Sequence, residues 1–118
     1  MKIALDYDGT YNRDKAFWTQ FIENAHDREH EIFIVTYRHP ELDHHEDFDL
    51  LKAWMKVETI FTDGNPKRAF CEELGHKFDI WIDDRPESVS EPSAWGPDDP
   101  RLAEWRENNR KASMAVAD

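Results

Sequence analysis

Ile32-Phe33-Ile34-Val35-Thr36 decides the fold class: four consecutive apolar residues, each β-branched or aromatic, end abruptly on a hydroxyl. A strand with one wet face would alternate in polarity. A run that is apolar on both faces belongs inside a sheet covered by helices, which is the setting of parallel strands. Upstream of it, Phe17, Trp18, Phe21, Ile22 and Ala25 recur at helical spacing and predict a helix over residues 14–28 with one buried face. Before that helix, Lys2-Ile3-Ala4-Leu5-Asp6 reads as a first strand ending at Asp6. Downstream, a polar loop with Pro40 leads to Phe48, Leu51, Trp54 and Met55, a second amphipathic helix ending near Lys56. Residues 58–62 form a short third strand. Asn65 as N-cap, Pro66 as first helical residue and Gly75 as stop frame a third helix over about residues 66–74. Asp79-Ile80-Trp81-Ile82-Asp83 is the fourth strand. Strands alternating with single helices predict an α/β fold: a doubly wound parallel sheet in three α/β/α layers, with all four carboxyl ends on the edge where such sheets bind ligands.

A length of 118 residues with 39% apolar content suits one domain over residues 1–118, without room for a separate substrate domain. The pattern is clear in a core over residues 1–87 and degrades in a tail over residues 88–118. There, residues 88–100 hold three prolines, a last helix is marked by Asp99-Pro100, Leu102 and Trp105, and Trp95 and Trp105 are expected to pin the tail to the body. Disorder is excluded by the seven Phe, five Trp and three Tyr. With 26 acids against 15 bases the net charge is −11, which repels long nucleic acids. The lone Cys71 forms no internal disulfide, and a basic start followed by a long apolar stretch is absent, so a cytoplasmic chain with no membrane partner is expected. Five acids among residues 41–49 (Glu41, Asp43, Glu46, Asp47, Asp49) are expected to face solvent.

The four strand ends carry Asp6 and Asp8, Thr36, and Asp83 with Asp84. Crowded carboxylates repel unless a cation neutralises them, and a hard, oxygen-only ligand set points to Mg²⁺. In Asp6-Tyr7-Asp8-Gly9-Thr10 the two-residue spacing aims both acids into the crevice, and Gly9 lets the backbone turn tightly and approach a ligand. One carboxylate can then attack while the other moves protons. Lys67 opens the third helix, where a cation and the free N–H groups favour an anion; Lys56 and Arg68 are neighbouring alternatives. Tyr37 and Arg38, directly after Thr36, are candidates for touching substrate. His39, His44 and His45 lack the spacing of a tetrahedral metal set and read as a solvated loop.

Asp6-Tyr7-Asp8-Gly9-Thr10 after Ile3-Ala4-Leu5, Thr36 after its strand, Lys67 opening a helix and Asp83-Asp84 closing strand four resemble the four ordered motifs of the haloacid dehalogenase-like phosphohydrolases. The resemblance covers residues 1–87. Its Asp83-Asp84-Arg85-Pro86-Glu87 ending is similar to small hydrolases of that family from bacteria and their phages. It implies a Rossmann-like core and a phosphatase in which Asp6 forms an aspartyl-phosphate and Asp8 is general acid and then base. Thr36 and Lys67, with Gly9 and Arg38 beside them, would hold the phosphoryl group. Mg²⁺ would sit between Asp6, the Asp8 carbonyl and Asp83 or Asp84. Two departures stand out. The segments over residues 7–13 and 63–65 are too short to hold the cap module of many members, so an open site for a bulky phosphoester is expected unless a second subunit of a homo-oligomer or the tail covers it. Pro66 also precedes Lys67, where many members place the proline after the lysine.

Two other function classes compete. A receiver-type phosphoacceptor domain shares the acids, Mg²⁺, Thr and Lys, but places adjacent acids after its first strand and its phosphorylated Asp after the third. A catalytically silent binding module has no use for both Asp6 and Asp8. The charge of −11 includes the acids assigned to the site, so the field disfavours long anionic polymers but not a single phosphate.

Overall fold

The computed structural model describes residues 1–92. These form a four-stranded, all-parallel sheet in the order β3-β2-β1-β4, built from β1 (Lys2–Leu5), β2 (Glu31–Thr36), β3 (Glu58–Phe61) and β4 (Ile80–Ile82). Four helices accompany them: α1 (Lys15–Asp27), α2 (Glu46–Met55), α3 (Lys67–Glu73) and the short α4 (Glu87–Ser90). A 3₁₀ turn, Tyr11–Arg13, leads into α1.

Register fixes which side chains share a face. Ile3 pairs with Ile32 and Leu5 with Ile34, and these four form one core with Ile22 and Ala25 of α1 and Phe48 and Leu51 of α2. Ala4 and Val35, one residue out of phase, point the other way and pack with Ile60 and with Cys71 of α3. Helices therefore cover both faces, a three-layer arrangement compatible with a Rossmann-like fold. The chain steps from β1 to β2 to β3 with α1 and α2 on one face, then returns past β1 to β4 with α3 on the other. Crossovers of one hand demand that change of face when the direction reverses. The reversal puts the switch point between β1 and β4, and the carboxyl ends there open a crevice.

The helix ends follow ordinary capping chemistry. The Asp14 carboxylate accepts the Phe17 N–H at the start of α1, and His45 Nδ1 accepts the Asp47 N–H at the start of α2. Lys56 ends α2 in the left-handed region at φ 57°, and Gly75 follows α3 at φ 87°. Asn65 and Pro66 depart from expectation. Pro66, at ψ 125°, occupies the cap position outside the helix, and the Asn65 amide instead donates to the Thr62 carbonyl at 2.8 Å. Lys67 is thus the first helical residue.

Three side chains sit elsewhere than their spacing suggests. Phe17 is 57% exposed and Trp54 81% exposed. At about 100° per residue Trp54 lies about 90° from the midpoint of Phe48 and Leu51, past the edge of the buried stripe, while Met55 falls back on it. Asp47, expected in solvent, is buried instead. Its Oδ2 accepts from the buried Tyr7 hydroxyl (2.7 Å) and pairs with Lys15 (2.7 Å), joining the loop after β1 to both helices of that face. Burial alone would raise the Asp47 pKa, but its Lys15, Tyr7 and His45 contacts hold it below the ordinary carboxylate value. The last helix inferred around Leu102 and the tail contacts of Trp95 and Trp105 lie outside the described residues. No helix among the described residues is long and apolar enough to cross a membrane.

Candidate active site

Asp6 is the first residue past β1, and its N–H donates to the Ile82 carbonyl at 2.9 Å, so it stands in the gap between β1 and β4. Its buried carboxylate accepts from Lys67 Nζ through Oδ1 at 2.8 Å. The Thr10 hydroxyl lies 3.2 Å from Asp6 Oδ2 and 3.4 Å from Asp84 Oδ1. Lys67, 2% exposed, also reaches Asp83 Oδ2 at 2.5 Å. The Ser88 hydroxyl donates to the same Oδ2 and the Arg85 N–H to Asp83 Oδ1, each at 2.9 Å. Of Lys67, Lys56 and Arg68, Lys67 is the one that enters this crevice, which Arg85 also lines: Lys56 is an exposed cap of α2, and the Arg68 guanidinium lies 6.0 Å from the Trp81 ring.

Asp6, Asp83 and Asp84 each offer an oxygen within 4.8 Å of the others. Lys67 bonds two of these carboxylates, Asp6 and Asp83, so one ammonium does not offset the three acids of the cluster. Burial, reinforced by Asp83 and Asp84 and opposed by Lys67, pushes the Asp6 carboxyl up to about 7. A divalent cation would reverse that shift. The donor chemistry fits Mg²⁺, which takes hard oxygens and few protein ligands. Among the neighbouring carbonyls, that of Asp6 accepts from Tyr11 and that of Tyr7 from Thr10 and Asn12, whereas the Asp8 carbonyl accepts no hydrogen bond among the described residues.

Gly9 closes the turn at φ 84°, donating its N–H to Asn12 Oδ1 at 2.8 Å. A Cβ at this position would collide with the Asp84 carboxylate, whose Cγ would be 2.8 Å away. Gly9→Ala is therefore expected to lower stability by about 1–2 kcal/mol through the left-handed backbone alone, measured by chemical denaturation. Displacement of Asp84 should weaken Mg²⁺ binding, measured by titration calorimetry, and unchanged affinity would show that Asp84 is not a ligand.

Asp8 is turned away from that cluster. Its half-exposed carboxylate forms a two-pronged pair with Arg38, Nε to Oδ2 at 2.9 Å and Nη2 to Oδ1 at 2.8 Å. Arg38 in turn donates to the Asp43 carbonyl and lies 5.0 Å over the Tyr7 ring. Thr36 is buried beneath the crevice rather than on its wall, and its Oγ1 accepts the Arg38 N–H at 3.2 Å. Tyr37 does line the crevice: its ring lies 5.2 Å from Lys67 Nζ, and its hydroxyl binds the carbonyls of Glu91 (2.6 Å) and Ser88 (3.1 Å). The crevice has a volume of about 370 Å³.

The structure thus brings Asp6, Lys67, Asp83, Asp84 and Gly9 together and sets Asp8 and Arg38 at the rim as a pair. The loop histidines serve local structure: His39 Nδ1 accepts the N–H groups of Glu41 and Leu42, and His44 pairs with Asp49. Sequence reasoning gave no role to Thr10 or Ser88. Thr10 was within reach, as a hydroxyl one residue past Gly9; Ser88 was not, because a four-residue helix leaves no periodicity to read. Comparison with protein-family models, with curated proteins and with solved structures finds no match to this chain.

Proposed function

We propose that the chain is a Mg²⁺-dependent phosphomonoester hydrolase of the haloacid dehalogenase-like kind, acting through an aspartyl-phosphate. The observation that carries this reading is the convergence at the switch point of a buried carboxylate, a buried lysine and two further acids, with a second aspartate two residues from the first. Bound Mg²⁺, held by Asp6, the Asp8 carbonyl and Asp83 or Asp84, supplies charge neutralisation and orientation of the phosphoryl group.

Asp6 attacks phosphorus with a carboxylate oxygen, the P–O ester bond breaks, and the leaving oxygen takes a proton from Asp8, whose carboxyl must first leave its pair with Arg38 and turn toward the crevice. Water then gives a proton to the Asp8 carboxylate as it attacks the phosphorus of the aspartyl-phosphate, which releases phosphate and restores Asp6. Lys67 and Arg38 share the charge on the equatorial oxygens. Thr36, buried beneath the crevice, supports the phosphate pocket from below by accepting the Arg38 N–H and fixing the turn after β2. With the short segments after β1 and β3, the crevice admits a phosphoester at its open edge.

An aryl phosphate assay tests the reading. Turnover with Mg²⁺, abolished by EDTA and restored by added Mg²⁺, is the expected result. Turnover indifferent to chelation would remove the metal from the scheme, and no turnover of any phosphoester with Mg²⁺ present would leave a silent binding module.

A further inference from the structure

A second groove, of about 540 Å³, runs beside the crevice and shares Gly9, Asp83 and Asp84 with it. Its other wall carries Arg13 and Trp18. Trp18 is half-buried, packed against the core below and braced edge-on by Phe17 (4.9 Å) and Phe21 (5.5 Å). Arg13 is exposed at the end of the 3₁₀ turn and forms no ion pair among the described residues.

We propose that this groove is the leaving-group subsite and receives the base of a nucleoside monophosphate, an inference that rests on the phosphomonoesterase reading above. A rigid indole braced from two sides offers a stacking platform, and stacking serves any base because every base has a π-face. Charge then selects among aromatic leaving groups. Asp83 and Asp84 on the shared wall are committed to Lys67 and the cation site, so Asp14 and Arg13 on the far wall set the groove's own charge, which is near balance and admits a neutral heterocycle. Asp14 and Arg13 also match a base edge, since a carboxylate accepts from exocyclic amino groups and a guanidinium donates to ring nitrogens and carbonyls. Gly9, Asp83 and Asp84 form a wall common to groove and crevice, so the two adjoin and a single molecule can place its phosphate at Asp6 and its base at Trp18.

Kinetics of Trp18→Leu, which keeps apolar bulk under the helix, test this with nucleoside monophosphates beside glycerol phosphate. The expected result is a KM for the nucleotides raised about tenfold or more, an unchanged kcat, and no effect on glycerol phosphate. Trp18→Phe should restore most of the loss, and Arg13→Gln should raise the nucleotide KM alone. Equal losses on both substrates, or no change on either, would overturn the subsite. Calorimetric titration with adenosine and cytidine separates this proposal from the reaction beneath it, because it needs no turnover. Trp18-dependent nucleoside binding in a protein that hydrolyses no phosphoester keeps the subsite and removes the reaction. Hydrolysis of glycerol phosphate without such binding removes the subsite alone.

Discussion

Asp6→Asn is expected to lower phosphoester turnover by a factor on the order of 10⁴ to 10⁶, the scale of losing a covalent nucleophile, while leaving the protein folded. Asparagine preserves the shape, and its side-chain oxygen can still accept from Lys67 at the 2.8 Å position now held by Oδ1. It removes the electron pair that attacks phosphorus and one negative charge of the cation site. Stability should hold or rise, because the carboxyl it replaces is disfavoured as an anion by burial, to the point that its pKa is pushed up to about 7. Lys67 keeps Asp83 as its charged partner. The pairing of near-total inactivity with an undiminished denaturation midpoint separates a chemical role from a structural one. Turnover at the wild-type rate in this variant would end the aspartyl-phosphate scheme.

How much of this was legible in the sequence depends on the range over which each residue's environment is set. Ile32-Phe33-Ile34-Val35 announced an interior strand because both its faces are covered, and the alternation of strands and helices gave the parallel sheet. Strand order was not legible, because nothing in a periodicity says that β4 lies beside β1; that follows from packing α3 against Ala4, Val35 and Ile60. Asp47 was misread for the same reason: the Tyr7 hydroxyl that buries it lies 40 residues away. Asn65 has the chemistry of an N-cap, but the tight turn with Thr62 claims its amide first. Within the site, acids and lysine were found by residue type and position at strand ends. The pairing of Asp8 with Arg38 depends on where the chain turns after β2, a detail the sequence does not carry.

Lys67→Met should be the most destabilising single change in the site. Methionine fills similar space without the ammonium, so Asp6 and Asp83, whose side chains are 7% and 4% exposed, would face one another with no cation between them. Removing one partner of a buried ion pair costs about 3–5 kcal/mol. The loss should depend on pH in EDTA. The folded-state pKa of Asp6 is already raised, and without Lys67 it rises further, so the folded chain binds more protons than the unfolded one. Stability is then greatest below the unfolded carboxylate value and falls as pH climbs through the folded one. Denaturation at pH 5.5 and pH 8 should accordingly show a wider gap from wild type at the higher pH. Saturating Mg²⁺ should narrow that gap, because it replaces the missing positive charge in the same crevice. The thioether supplies no charge for the phosphoryl oxygens, so activity should stay low even where Mg²⁺ restores the fold. A variant as stable as wild type at both pH values would mean that the ammonium is not what holds these carboxylates together.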